Sequence, residues 1–198
     1  MRSTCQAALR IVRLFIAINI PAAERHAIRV ATAAMREAAP HVSWVTEDHL
    51  HITLKFLGEQ PDSAVDSLRA ALSGVARAHR APRLELGGVG AFPNLRAPRV
   101  VWLGVEQDGK LELLHHHIES ECEALGHDVE GRVFRPHITL GRVRRELGRE
   151  QTRTLASAAR AVTYAGVVEA TSIDLMESQL TPSGPRYTVR AAVPLGAR

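Results

Sequence analysis

The four-residue stretch HITL at positions 51–54, inside DHLHITLKFLGE, occurs a second time at positions 137–140, inside FRPHITLGRV. Four identical letters recur by chance often enough that the repeat gains meaning only from its surroundings. In both copies polar and apolar residues alternate, which is the period of a half-buried β-strand. The repeat therefore predicts two equivalent strands in two similar parts of one chain.

Strands and helices surround both copies in an irregular order. We predict strands at 13–21, 50–57, 83–90, 99–105 and 135–143, and two more within 168–195 around the turn TPSGP. We predict helices at 22–40, 61–80, 110–126 and 145–162. Because strands outnumber helices and do not alternate with them regularly, an α+β fold with antiparallel sheets is favoured over a doubly wound parallel sheet.

Each HITL strand is followed by a helix and then by further strands, so the chain has two similar halves that meet near 105–130. We predict a bilobal fold with two pseudo-symmetric lobes, each with an antiparallel sheet flanked by helices, and an active cleft between the lobes. The lobes form one domain over 13–198. Residues 1–12 are predicted to be an N-terminal extension.

The composition is that of an ordinary globular protein, with 45% apolar and 23% charged residues among 198. No run of apolar residues is long enough to span a membrane. Arg10 and Arg13 interrupt the apolar N-terminal stretch, which also lacks a small-residue cleavage site, so we do not expect a signal peptide. Cys5 and Cys122 do not form a disulfide framework, which fits a reducing cytoplasm.

The charged residues give a formal net charge of +4, and the basic residues are almost all arginines, with lysines only at 55 and 110. A compositional bias toward arginine explains this equally well. The planar guanidinium nevertheless suits phosphate, so the charge is compatible with a nucleic-acid or nucleotide partner.

The two HITL strands place four polar side chains on predictable faces. Residues i and i+2 of a strand share a face, so His51 lies with Thr53 and His137 with Thr139, while the Ile and Leu residues anchor the opposite face. Arg135 is two residues before His137 and is predicted to share its face. If the strands lie side by side, two imidazoles and two hydroxyls converge on one cleft.

Two histidines in such a cleft suit the hydrolysis of a phosphodiester without a metal. Near neutral pH one imidazole accepts a proton from water while the other donates a proton to the leaving oxygen. Threonine hydroxyls can donate hydrogen bonds to the phosphate oxygens, and an arginine balances the charge on phosphorus. A single histidine on a strand is usually a surface or hydrogen-bonded residue, but two in matched H-x-T-x contexts favour the functional interpretation.

Three other features have simpler interpretations. The histidines at 115–117 are consecutive on a predicted helix and point in different directions, so we expect a solvated helix face and no metal site. Trp44 and Phe56 flank the first motif, and core packing is favoured over base stacking. The basic stretch GRVRRELGRE at 141–150 is expected to be a solvated loop, with contact to an RNA backbone as the alternative.

With both motifs in place, the sequence resembles the two-histidine phosphoesterase superfamily, and within it the bacterial RNA 2′,3′-cyclic phosphodiesterase family, also called 2′-5′ RNA ligase-like or LigT. The similarity runs from Arg13 through nearly the whole chain. The stretches that carry it are RLFIAINIP, WVTEDHLHITLKFLGE, GVGAFPNLRAPRVVWLGV, FRPHITLGRV and LMESQLTPSGPRYTV, in the order of the family.

The resemblance implies hydrolysis of RNA 2′,3′-cyclic phosphate ends to a 2′-phosphate, with 2′-5′ ligation as the reverse reaction. It implies that His51 donates a proton to the leaving 3′ oxygen and that His137 activates water. It also implies that Thr53 and Thr139 hold the phosphate oxygens, with Arg135 as a further phosphate ligand outside the four-letter motif. We expect no cofactor and no metal, a monomer in the cytoplasm, and RNA ends as partners rather than a membrane.

Two alternatives remain open at the level of the sequence. A cyclic phosphodiesterase acting on small nucleotides would use the same residues around phosphorus. A non-catalytic module that binds RNA ends would occupy the same cleft, although it would not need both histidines. The two motifs are nearly symmetrical, so the assignment of donor and acceptor depends on the resemblance alone.

Overall fold

The computed structural model describes residues 10–106, 109–182 and 184–196, which form nine strands and five α-helices. The strands are β1 Ile11–Asn19, β2 Ser43–Trp44, β3 His51–Pro61, β4 Arg83–Phe92, β5 Val100–Val105, β6 His137–Arg142, β7 Ala165–Glu169, β8 Ser172–Thr181 and β9 Gly184–Pro194. The helices are α1 Ala22–Ala31, α2 Ala33–Ala38, α3 Ala64–Ala78, α4 Gly109–Ala124 and α5 Arg149–Ala161, and a 3₁₀ turn lies at Glu47–His49. The α+β class predicted from the sequence is confirmed.

All pairs of named strands are antiparallel, in the order β7-β4-β5-β6-β3-β1-β8-β9, with the short β2 added to β6. The two lobes are therefore the halves of one curled sheet, which the sequence pattern did not reveal. They join where β3 meets β6, with Ile52 opposite Ile138. The two HITL strands thus lie side by side at the centre of the sheet.

The six central strands have an internal twofold relationship. Exchanging β3 with β6, β1 with β5 and β8 with β4 leaves their order unchanged. Each half of the chain also contributes a strand to the other half of the sheet, because β4 pairs with β5 and β8 pairs with β1. The equivalent halves therefore meet at the connection 93–99, and the predicted junction near 105–130 is wrong.

The helices cover one face of the sheet and enclose the main core. Alternate residues of β1 point into it, among them Ile16 and Ile18, together with Ile52 and Ile138 of the two central strands. Each of these four isoleucines is at most 1% exposed. Burying such a side chain contributes about 1.5–3 kcal/mol, so the central strands are firmly fixed from this side. Their other face is left for polar residues.

Two predicted boundaries differ from the structure for local reasons. The predicted helix 22–40 is interrupted at Thr32, whose hydroxyl donates to the carbonyl of Ile28 at 2.8 Å and competes with the helical backbone bonds. The predicted extension 1–12 is too long, because Ile11 and Val12 already pair with β3. The rest of that prediction, residues 1–9, lies outside the described residues.

The C-terminal part contains one strand more than predicted. Within 168–195 we expected two strands, and the structure has β8 and β9 there, preceded by β7. The strand β7 lies at the edge of the sheet and buries only Val168, so its apolar alternation is too weak to be recognised. The turn between β8 and β9 lies where TPSGP predicts it, apart from Ser183, which is outside the described residues.

A buried ion pair connects β3 to helix α4. Lys55, directly after the first HITL, lies 2.7 Å from Glu119 of α4, and the two side chains are 2% and 8% exposed. The Lys55 ammonium also donates to the carbonyl of Asp128, and Glu119 accepts from the amide of Glu130. The pair therefore ties α4 and the segment after it to the first HITL strand.

We predict that Lys55→Met lowers the free energy of unfolding by about 3–5 kcal/mol, because it leaves the buried carboxyl group of Glu119 without its partner. The double variant Lys55→Met/Glu119→Leu should recover most of that loss. Urea unfolding of both variants measures the effect, and Lys110→Met, which removes the other lysine from an exposed position, is the matched control. Equal stability of the Lys55 and Lys110 variants would contradict the role given to the pair.

Candidate active site

The structure brings together the four side chains of the two HITL motifs. His51, Thr53, His137 and Thr139 are all half-buried on the face of the sheet opposite the helices. Because β3 and β6 run antiparallel about the Ile52–Ile138 pair, His51 lies across from Thr139 and His137 across from Thr53. Each histidine is therefore next to the threonine of its own strand and the threonine of the other.

Both histidines are held by the same backbone contact. Nδ1 of His51 lies 2.7 Å from the carbonyl oxygen of His49, and Nδ1 of His137 lies 2.7 Å from the carbonyl oxygen of Arg135. A carbonyl oxygen only accepts, so Nδ1 carries the hydrogen and donates it in both rings. In each neutral imidazole Nε2 is then the atom with a lone pair.

Aromatic side chains enclose His51. The ring of Phe15 lies 5.1 Å from the imidazole, and the ring of Tyr187 lies 5.4 Å away in an edge-on arrangement. Burial in this setting lowers the pKa of His51 to about 4, and the charges of His49, Arg142 and His137 act in the same direction against the hydrogen bond to the His49 carbonyl. His51 is therefore neutral at pH 7 in the free protein.

His137 has a similar but less confined setting. The ring of Phe92 packs edge-on against it at 5.0 Å. Burial lowers the pKa of His137 below its ordinary value, and the charge of Arg142 lowers it further, while the hydrogen bond to the Arg135 carbonyl raises it. Both rings therefore hold a free lone pair at neutral pH, and a proton on either of them requires a compensating negative charge nearby.

A bulge in each HITL strand brings a further side chain to the open face. In β3 the neighbours Leu54 and Lys55 are both buried, and in β6 the neighbours Leu140 and Gly141 are both buried, so the strict alternation shifts by one residue. The next residues, Phe56 and Arg142, are exposed as a result.

The bulge in β3 corrects one prediction about the first motif. Phe56 is 63% exposed and its ring lies 6.3 Å from that of Phe15, so the expected core packing of Phe56 is wrong. Core packing is right for Trp44, which packs against the core and donates from Nε1 to the carbonyl of Ala39 at 3.1 Å.

The bulge in β6 reveals a cation that the sequence analysis missed. Arg142 is the arginine whose charge lowers the pKa of both His51 and His137. Arg135 is exposed in the segment before β6, and the contact it makes to the site is its carbonyl oxygen on His137. A phosphate role for the Arg135 guanidinium stays a prediction. Strict alternation predicts Arg135 on this face. It does not predict Arg142, because the order of polar and apolar residues does not show where a bulge occurs.

Asn19 is a second residue that the sequence analysis missed. It lies opposite His51 in the β1–β3 pair, and its amide nitrogen donates to Asp174 at 2.6 Å. The buried Asp174 also accepts from the hydroxyl of Ser172 at 2.8 Å. The amide of Asn19 is therefore fixed in orientation beside the histidine.

The three consecutive histidines of α4 diverge, as expected. His115 stacks on Phe134 at 3.9 Å, His116 is exposed, and Nδ1 of His117 forms a hydrogen bond with Nε2 of His79 at 3.0 Å. Only His116 thus lies on a solvated face. Among residues 10–106, 109–182 and 184–196, no group of three or more His, Cys, Asp or Glu side chains is arranged to hold a metal ion. None of the helices in that part of the chain is long and apolar enough to cross a membrane.

Comparison with known proteins agrees with this geometry. Residues 21–181 match the model of the 2′-5′ RNA ligase superfamily. A protein of Methanothermobacter thermautotrophicus named RNA 2′,3′-cyclic phosphodiesterase is 30% identical over 177 residues, which cover 89% of this chain and 95% of the relative. The chain belongs to the 2′-5′ RNA ligase superfamily, a family of two-histidine phosphoesterases.

Two solved structures have the same fold over nearly their whole length. A protein of Thermus thermophilus superposes with a TM-score of 0.73 at 29% identity, covering 92% of this chain and 97% of that one. Escherichia coli LigT in complex with 3′-AMP superposes with a TM-score of 0.71 at 29% identity, covering 94% and 99%. The sequence-based identification of the family is therefore confirmed.

We predict that Tyr187→Ala raises the pKa of His51 from about 4 toward the ordinary value of 6.5, because burial is the main cause of the shift and the tyrosine ring supplies part of it. An NMR titration of the imidazole resonances measures the change. Tyr164→Phe, which alters the other tyrosine at its contact with Glu24, is the control and should leave His51 unaffected. An unchanged His51 titration in Tyr187→Ala would show that burial by this ring is not the cause.

Proposed function

We propose that the protein is a metal-independent RNA 2′,3′-cyclic phosphodiesterase that hydrolyses cyclic phosphate ends to a 2′-phosphomonoester. The observation that carries the proposal is the matched pair of histidines, each with Nδ1 bound to a carbonyl and Nε2 left to exchange a proton on the open face. The names of the relatives, which are RNA 2′,3′-cyclic phosphodiesterases, support the substrate class.

The proposed reaction is a displacement at phosphorus. Nε2 of His137 takes a proton from a water molecule as its oxygen forms a bond to phosphorus. The bond between phosphorus and the 3′ oxygen breaks, and Nε2 of His51 gives its proton to that oxygen. The products are a 2′-phosphate and a free 3′ hydroxyl, and general acid–base catalysis of this type contributes about 10²–10⁴-fold in rate. The same displacement with a 5′ hydroxyl in place of water would break the bond to the 3′ oxygen and join RNA ends through a 2′-5′ bond.

The remaining polar groups stabilise the phosphate. Thr53 and Thr139 can donate hydrogen bonds to the non-bridging oxygens from both sides of the histidine pair. Arg142, together with Arg135 as the sequence predicts, supplies positive charge as negative charge builds up on phosphorus. Arg142 is the stronger candidate, because its charge already acts on both imidazoles.

The assignment of the two proton roles has a physical condition. A donor with a pKa of about 4 is unprotonated at pH 7, so His51 serves as donor only if the bound phosphate anion raises its pKa substantially. Without that rise the roles are exchanged, with His51 as the acceptor and His137 as the donor. The family resemblance favours the first assignment, and the pH dependence distinguishes the two.

Two other functions use the same residues. A hydrolase of small cyclic nucleotides would need only the groups around phosphorus. A module that binds RNA ends without turnover would have no need for two imidazoles in the same tautomer, which is the observation that disfavours it.

We predict that the wild-type protein converts a short RNA with a 2′,3′-cyclic phosphate to the 2′-phosphate in the presence of EDTA. His51→Ala and His137→Ala should each lower kcat by about 10²–10⁴-fold, since each removes one proton transfer. His116→Ala, which removes an exposed histidine of α4, is the matched control. An inert wild type that still binds the RNA would replace the enzyme by the binding module, and activity that needs added metal would contradict the mechanism.

We predict that kcat/KM is highest between the pKa of His51, about 4, and the pKa of His137, which lies below its ordinary value of 6.5, because only the singly protonated pair is active. Above that range the active form declines about tenfold per pH unit. In the pH profile of the residual activity, removal of the donor should abolish the decline of kcat/KM on the alkaline side. Removal of the acceptor should abolish the decline on the acidic side. If His51→Ala flattens the acidic side, His51 is the acceptor.

A further inference from the structure

A cavity of about 760 Å³ adjoins the candidate active site and has no part in the reaction described above. It lies between the segment 40–43, the segment 144–147 after β6, and the turn that connects β8 with β9. Its polar lining includes His41, Ser43, Arg144, Arg145 and Gln151. A volume of this size is within the range of about 300–1,000 Å³ that is typical of sites for small molecules.

The cavity lies next to the open face of the sheet at two places. Ser43 in its lining pairs with Arg142, the residue whose charge reaches both histidines. Arg144 follows Arg142 by two residues, which separates their backbones by at most about 7 Å. On the other side the lining includes Gly184 of β9. Tyr187 lies three residues further along β9, and its ring packs on His51. The cavity therefore lies beside Arg142 on one side and close to Tyr187 on the other.

The charges in the lining favour an anion. Arg144 and Arg145 are exposed, and neither guanidinium has an ion-pair or hydrogen-bond partner among the residues that the structure describes. Glu146 is the one carboxylate among the described residues that line the cavity. Guanidinium groups without a protein partner are suited to bidentate binding of a phosphate.

The rest of the lining suits the other parts of a nucleotide. Val42 and Leu147 supply apolar surface, and Ser43 and Gln151 supply hydrogen-bonding groups. Exposed arginines combined with apolar and amide surface match a nucleotide better than an inorganic anion, which needs no apolar contact.

We propose that this cavity binds the nucleotide on the 5′ side of the cyclic end, with Arg144 and Arg145 on the phosphate that joins it to the terminal nucleotide, so that the substrate class is an oligonucleotide rather than a mononucleotide. The inference rests on the proposed cyclic phosphodiesterase function. It gives the stretch 141–150 a role in RNA binding, which was the alternative to a solvated loop.

The test compares kcat/KM for a dinucleotide ending in a 2′,3′-cyclic phosphate with kcat/KM for the corresponding 2′,3′-cyclic mononucleotide. The wild type should prefer the dinucleotide by about tenfold or more, which is the order expected for hydrogen bonds to a charged phosphate. Arg144→Ala/Arg145→Ala should lose this preference and keep the mononucleotide activity. Glu146→Gln should increase the preference, because it removes the negative charge from the cavity.

The control is Arg153→Ala, which removes an exposed arginine from α5 outside the cavity and should keep the wild-type preference. A wild type that hydrolyses both substrates equally well would overturn this inference and leave the proposed function intact. Equal losses on both substrates in the double arginine variant would also overturn it, because the arginines would then act on the cyclic phosphate itself. A wild type that hydrolyses neither substrate would instead overturn the proposed function.

Discussion

The pairing of Ile52 with Ile138 is the contact on which the rest of the structure depends. This pair sets the register of β3 against β6, and it joins the two halves of the sheet into one. Both isoleucines are fully buried against the helices, so the hydrophobic core holds the strands in this register. A shift of one residue would turn every side chain of the strand to the opposite face. The same burial that stabilises the core therefore places His51 and His137 on the open face.

The bulges extend this arrangement from a polar pair to a complete site. Without them Lys55 would follow His51 and Thr53 onto the open face, and Arg142 would point into the core. The extra residue in each strand instead buries Lys55 against Glu119 and turns Arg142 outward. At the equivalent position in β6 stands Gly141, where a Cβ atom would lie 2.6 Å from Val42 and 2.7 Å from Trp44. One half thus fixes its bulge with a buried ion pair, and the other fixes it by close packing.

The sequence predicts the features that depend on local periodicity. The alternation in both HITL copies and the order of helices and strands are enough for the α+β class and for the faces of His51, Thr53, His137 and Thr139. It does not show that the lobes share one sheet, because the pairing of β3 with β6 joins residues far apart in the chain. The sequence also does not predict that Arg142 and Phe56 lie on the open face. A bulge moves a side chain to the other face of the sheet without changing the order of polar and apolar residues. Asn19 was missed because its orientation depends on Asp174, which lies on a distant strand.

The burial of His51 makes its imidazole a weaker base when neutral and a stronger acid when protonated. The rings of Phe15 and Tyr187 keep water away from the imidazole, and its pKa of about 4 makes it a weak base in the free protein. A weakly basic imidazole becomes a strong acid once it is protonated, and a bound phosphate anion favours that protonation. Water exclusion also strengthens the attraction between the protonated ring and the phosphate. In the proposed reaction with His51 as the donor, the low pKa couples protonation of His51 to the presence of substrate, so that the acid forms chiefly when there is a leaving oxygen to receive its proton.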